Sequence, residues 1–151
     1  MKRIYLDNAA TTPMEPRVLA AMLPYMKDDF GNPSSTHFYG RKTKAAIETA
    51  RKSVAAHLNA SPGEIIFTSG GTEADNMAIF SSVFDLGVKH IITSPLEHHA
   101  VLHTVEEMGK KSSVRLSFVK LTANGHVDLE DLEKLLQTNE KTLVSLMHGN
   151  N

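Results

Sequence analysis

From residue 65 onward, short apolar runs alternate with longer stretches whose apolar side chains recur at helical spacing. The runs at 65–68, 90–93, 114–119 and 143–147 predict strands, and the segments 72–86 and 98–108 predict helices. A further helix is predicted where Leu129, Leu132, Leu135 and Leu136 follow Asp128, which with Asp131 resembles a capping box. Strands and helices that alternate in this way predict an α/β fold, a largely parallel sheet with helices on both faces. Ligands of such sheets sit beyond the carboxyl ends of the strands. The turn after Phe67, the segment after Thr93 and the segment after Met147 are therefore expected on one face of the molecule.

The preceding residues have a different pattern. Val18, Leu19, Met22 and Met26 have helical spacing behind Pro16, which suits a first helical turn, while Pro24 is expected to end or kink that helix. Residues 30–37 are loop by composition. A second helix is predicted from there to about Leu58, with Ile47, Ala50, Val54 and Leu58 on one face and Arg41, Lys44, Glu48, Arg51 and Lys52 on the remainder. Residues 1–15 hold a polar, small-residue tract that ends at Pro13, and they read as an arm or loop.

Composition narrows the class. Apolar residues make up 41% and charged residues 22% of 151, which is globular usage. A formal net charge of −1 provides no field to recruit nucleic acid or an acidic membrane, so neither is expected as a partner. With no cysteine against eight histidines, a disulfide framework and a thiolate metal site are excluded, and a reducing interior fits. No long apolar segment follows the charged N-terminus and no run approaches bilayer length, so a soluble cytoplasmic chain is expected. The last apolar run is followed only by His148-Gly149-Asn150-Asn151, and the sheet is expected to be unfinished.

The chemistry centres on Phe67-Thr68-Ser69-Gly70-Gly71-Thr72-Glu73-Ala74-Asp75-Asn76. A predicted strand, a glycine-rich turn and a helix N-terminus form a cradle for phosphate, since the first helical N–H groups lack intrahelical acceptors and the positive end of the macrodipole points the same way. The simpler alternative is a β–α turn capped by Ser69 or Thr72. Glu73, Asp75 and Asn76 read as helix-start residues that favour the dipole. His98, His99 and His103 include an i, i+4 pair that could bind zinc, although no His-Glu-x-x-His arrangement is present. A nucleotide-binding reading lacks both the Lys-Ser/Thr pair of a P-loop and the three spaced glycines of a dinucleotide fold. A non-catalytic interaction domain, which the alternating apolar pattern alone would permit, is the remaining alternative.

Five motifs occur in one order: Asp7-Asn8-Ala9-Ala10-Thr11-Thr12-Pro13, Gly31-Asn32-Pro33-Ser34-Ser35, the tract 67–76, Glu97-His98-His99-Ala100-Val101 and Met147-His148-Gly149-Asn150-Asn151. Together they closely resemble the cysteine desulfurases of the class V aminotransferase group, pyridoxal phosphate enzymes of fold type I. The resemblance runs from Leu6 to Asn151 and covers the N-terminal portion, well under half, of a longer family chain. It implies that residues 1–15 are an arm towards a smaller domain and that 16–151 are the first part of the cofactor-binding large domain. It also implies that Gly71 and Thr72 hold the cofactor phosphate, that His98 stacks on the pyridine ring and shuttles protons, and that Asn151 bonds the phenolic oxygen. The family's Schiff-base lysine, the aspartate facing the pyridine nitrogen and the sulfur-accepting cysteine all lie beyond these residues. The implied activity of the intact protein converts L-cysteine to L-alanine and an enzyme persulfide for iron–sulfur or thio-cofactor assembly, as a homodimer that serves a scaffold partner. Selenocysteine lyases share this half of the chain and remain the alternative within the group. The 151 residues by themselves are expected to be inactive and to bind pyridoxal phosphate weakly or not at all.

Overall fold

A computed structural model describes residues 3–8 and 10–149. Contacts divide the chain into two compact units, residues 1–67 and 68–151.

The first unit is helical. Helix α1 (Pro16–Lys27) starts with proline in its first turn, and the Glu15 carboxylate accepts the Arg17 amide at 3.1 Å. It does not end at Pro24. The Pro24 carbonyl accepts the Asp28 and Asp29 amides at 2.8 Å each, so the helix closes one turn later. A proline removes only its own N–H from the ladder, and the turn that follows can still form. Helix α2 (Phe38–His57) is capped by His37, and a loop folds tightly on its first turn. A Cβ on Gly40 would lie 2.3 Å from the Ser35 carbonyl oxygen, and one on Gly31 would lie 2.4 Å from that of Tyr39. The Gly31-Asn32-Pro33-Ser34-Ser35 motif thus has a packing reason in this unit, close backbone approach.

The run at 65–68, expected as a strand, is not one. Ile65 has extended backbone (φ −96°, ψ 121°), but an extended segment becomes a strand only when a neighbour takes up its N–H and C=O groups. Here Arg51 of α2 holds it: the guanidinium donates to the Ile65 carbonyl and lies 4.9 Å from the centre of the Phe67 ring.

The second unit holds the sheet and most of the core. Its elements are α3 (Gly71–Phe84), β1 (His90–Thr93), α4 (His99–Lys111), β2 (Arg115–Phe118), α5 (Leu129–Leu136) and β3 (Thr142–Val144). The strands are parallel in the order β2-β1-β3, with Ile91 opposite Leu116 on one side and Leu143 on the other. Successive side chains of β1 point to opposite faces, and Ile91 and Ile92 are both fully buried, so both faces of the central strand are covered. Ile91 packs with Ile79 and Val83 of α3 and with Val101, Val105 and Met108 of α4. The crossovers through α4 and α5 run in opposite directions across the sheet, and right-handed connections then put these helices on opposite faces.

Two expectations need adjustment. The strand read over 143–147 is paired only to Val144, with one further bond from the Ser145 amide to the Ile92 carbonyl at 2.9 Å. Asp128 caps α5 by accepting the Glu130 and Asp131 amides at 3.0 and 3.1 Å, but no reciprocal capping box forms. The Asp131 carboxylate instead accepts the Lys120 amide at 2.9 Å. No helix among the described residues is long and apolar enough to cross a membrane.

Candidate functional site

Of the sequence-predicted residues, Gly71 and Thr72 occupy the first turn of α3. The N-cap is Gly70, and no side chain caps it, so neither Ser69 nor Thr72 fills the role that a ligand-free turn would assign to it. The intrahelical ladder begins with the Ala74 amide on the Gly70 carbonyl at 3.1 Å, which leaves the earlier N–H groups of the turn without acceptors inside the helix. Gly70 is fully extended (φ 171°, ψ 177°), a conformation open to any residue. A Cβ on Gly70 or Gly71 would meet no atom within 4 Å. These glycines therefore answer no demand of turn geometry or internal packing. What they leave is empty space where a side chain would stand, beside a first turn that no side chain caps.

Glu73 folds back from the first turn and accepts both the Ser69 amide and the Ser69 hydroxyl at 2.6 Å. The Ser69 hydroxyl and then the amide hold its carboxyl below the usual glutamate value. The negative charge is thereby committed to Ser69 on the loop side of the turn.

His98 is the N-cap of α4, and its Nδ1 accepts the Ala100 amide at 3.1 Å. Capping through Nδ1 requires that nitrogen to be unprotonated, so in the neutral ring the proton is on Nε2. The ring is exposed, which leaves both Nε2–H and an imidazole face available to a ligand. His99 and His103 are 5.2 Å apart between ring centres. Even so, no group of three His, Asp or Glu side chains among the described residues is placed to hold a metal ion. Asn151 lies outside the described residues.

Helices α3 and α4, which carry the two sets of predicted residues, pack side by side, with the Thr104 hydroxyl bonded to the Asn76 carboxamide oxygen. Asp75 of α3, Val101 of α4 and Ser145 after β3 line one small cleft of about 130 Å³. The segments after β1 and β3 are also joined directly, because Glu97 Oε1 accepts the Met147 amide at 2.5 Å.

Three residues here escape sequence reasoning. Glu97 is buried, and its carboxyl is pushed up by that burial, pulled back by the Met147 amide and raised again by the charge of Asp75. The helix-start reading of Asp75 does not anticipate its effect on Glu97. Thr93, at the end of β1, is fully buried, and its hydroxyl has no hydrogen-bond partner among the described residues. Buried, incompletely satisfied polar groups gather at functional sites. The sequence signal for Glu97 was its place at the head of the motif 97–101, and burial itself cannot be read from one sequence.

Known proteins match this chain throughout. The family model described as aminotransferase class-V matches residues 4–151. The cysteine desulfurase IscS of Dictyoglomus turgidum is 49% identical over 157 residues, covering 100% of this chain and 39% of its own length. The mitochondrial cysteine desulfurase of Drosophila melanogaster is 46% identical over 151 residues, covering 98% of this chain and 32% of its own. Among solved structures, a NifS-like protein superposes with a TM-score of 0.87 at 39% identity, over 99% of this chain and 41% of that one. The apo cysteine desulfurase of Thermococcus onnurineus gives 0.82 at 30% identity, over 98% and 37%. The chain spans about 40% of the length of the curated relatives it matches. By sequence and by fold, it belongs to the aminotransferase class-V family.

Proposed function

We propose that these residues are the N-terminal part of a pyridoxal phosphate-dependent cysteine desulfurase, and that they supply the phosphate cradle and one face of the cofactor site. The observation that carries this reading is the first turn of α3, which no side chain caps and where the space beside Gly70 and Gly71 is empty. A dianionic phosphate fits that donor set, because it accepts several N–H bonds and meets the positive end of the helix. The Thr72 hydroxyl adds one more donor at the same turn. His98 supplies a flat imidazole for the ring, and with Nδ1 occupied by its own helix it presents Nε2 for proton transfer. When bound, pyridoxal phosphate supplies an electron sink that weakens bonds at the α-carbon of an amino acid.

Asn151 completes the proposed set as a hydrogen-bond donor to the phenolic oxygen. The substrate is L-cysteine, the products are L-alanine and a persulfide, and the sulfur passes to an acceptor protein. These residues include no cysteine, so the thiol that takes the sulfur comes from outside them. The intact enzyme works as a homodimer in the cytoplasm. Residues 1–15 form an arm to the small domain, and 16–151 belong to the large domain.

The test is titration of the 151-residue chain with pyridoxal phosphate, then borohydride reduction and peptide mapping. Binding of about −4 to −6 kcal/mol, millimolar to tens of micromolar, with scattered and substoichiometric lysine labelling, is the expected result. Stoichiometric labelling of one lysine would show that the chain builds a covalent site of its own. No binding at all would refute the cradle.

A further inference from the structure

The pairing of β3 with β1 ends at the Ser145 amide, and the next contact that fixes the outgoing chain is the Met147 amide on Glu97. Glu97 closes the turn that follows β1, with its own amide 3.4 Å from the Ser94 carbonyl, and it immediately precedes His98. One side chain thus bridges residues 50 positions apart, across the carboxyl edge of the sheet.

A carboxylate is a costly choice for that task. Burial disfavours its charge and one amide repays only part of the loss, while a glutamine oxygen would accept that amide only as the weaker, neutral partner. Among the described residues, Asp75 of α3 is the charged group that acts on Glu97, and it makes ionisation harder still. What a glutamate gains over a glutamine at this position is a stronger hold on the Met147 amide, one that depends on its ionisation.

We propose that Glu97 is a positioning residue whose carboxylate fastens the chain leaving β3 to the turn that carries His98, so that both flanks of the candidate site move together. Its consequence for the cofactor rests on the reading given above, whereas the bond itself does not. The bond is strongest when Glu97 is ionised, because a carboxylate accepts an amide more strongly than a carboxylic acid does. The placement of Met147 should therefore depend on pH.

The experiment follows the Met147 amide and the His98 ring by NMR in the ligand-free, isotope-labelled chain across a pH titration. The Met147 amide proton should lie downfield at neutral pH and move upfield on acidification, with a midpoint above the ordinary glutamate range. Glu97→Gln should abolish that titration, and Asp75→Asn should lower its midpoint. A Met147 amide that is indifferent to pH and unmoved by Glu97→Gln would overturn the proposal. Should Glu97→Gln not fold, an unchanged midpoint in Asp75→Asn would overturn it instead. Saturating pyridoxal phosphate should shift the His98 and Met147 signals together in the parent and uncouple them in Glu97→Gln, and signals that stay coupled in the variant would count against positioning. Should pyridoxal phosphate move neither signal in the parent, the cofactor reading fails, while the pH titration still decides the bond.

Discussion

The two ends of the sheet both bury polar side chains, and they treat them differently. At the amino end, His90 is fully buried on β1, with Nε2 2.9 Å from the Ser117 hydroxyl and Nδ1 3.1 Å from an Arg115 nitrogen that also reaches Glu140 at 2.8 Å. Arginine only donates, so Nδ1 accepts and Nε2 carries the proton to Ser117. Every polar atom of that ring is satisfied. At the carboxyl end, among the described residues, the Thr93 hydroxyl has no partner and Glu97 is a buried carboxylate with a single amide donor. A closed network specifies and stabilises a core, whereas an incompletely satisfied one has capacity left for a ligand. The contrast separates the structural edge of this sheet from its proposed working edge.

The largest effect should come from opening the closed network. His90→Ala leaves Ser117 and Arg115 without their partner and creates a cavity, so it should cost about 2–4 kcal/mol in urea unfolding while ligand affinity stays unchanged. The two edges should also respond to pH with opposite sign. Burial, then Arg115, lower the His90 ring against a weaker opposing pull from Glu140. Its contribution is therefore complete above the ordinary histidine value and is lost as pH falls through the depressed value. Glu97 is raised, so its contribution is complete below the ordinary glutamate value and is lost as pH rises through the raised one. His90→Gln should flatten the first slope of a stability–pH curve and Glu97→Gln the second. If both variants keep both slopes, the two edges are not distinct in this sense.

Smaller effects sharpen the working edge. Thr72→Ala should weaken pyridoxal phosphate binding by about 1 kcal/mol, roughly fivefold, through loss of one phosphate hydrogen bond. His98→Ala should remove the ring contact yet leave inorganic phosphate binding intact. If a calorimetric titration finds neither change, the ligand is not in this cradle. Thr93→Val replaces an unpartnered buried hydroxyl by a methyl of similar shape and should stabilise the ligand-free chain by up to about 1 kcal/mol. A loss of stability would instead reveal a bonded partner for that hydroxyl. Least of all, Glu140→Gln should cost only a few tenths of a kcal/mol, since the side chains of its pair with Arg115 are 46% and 50% exposed.

Much of this molecule is determined by local sequence. Helical spacing and caps are properties of neighbouring residues, so α2, α3, α4 and α5 lie within a few residues of where periodicity puts them. The strands at 90–93 and 114–119 were legible for the same reason, as apolar runs bounded by turn residues. The cradle proposed here rests on a glycine-rich turn and a helix start that share one short segment, and the ordered motifs identified the family. Tertiary structure decided what depends on distant partners. The apolar run at 65–68 starts with extended backbone at Ile65 yet forms no strand, because a strand is made by its neighbour and not by its own side chains. The run at 143–147 leaves the ladder after Ser145 because a carboxylate distant in sequence takes the Met147 amide. Burial turned Glu97 from a residue beside a histidine into the link between two flanks of the site, and desolvation depends on surroundings that no linear pattern contains.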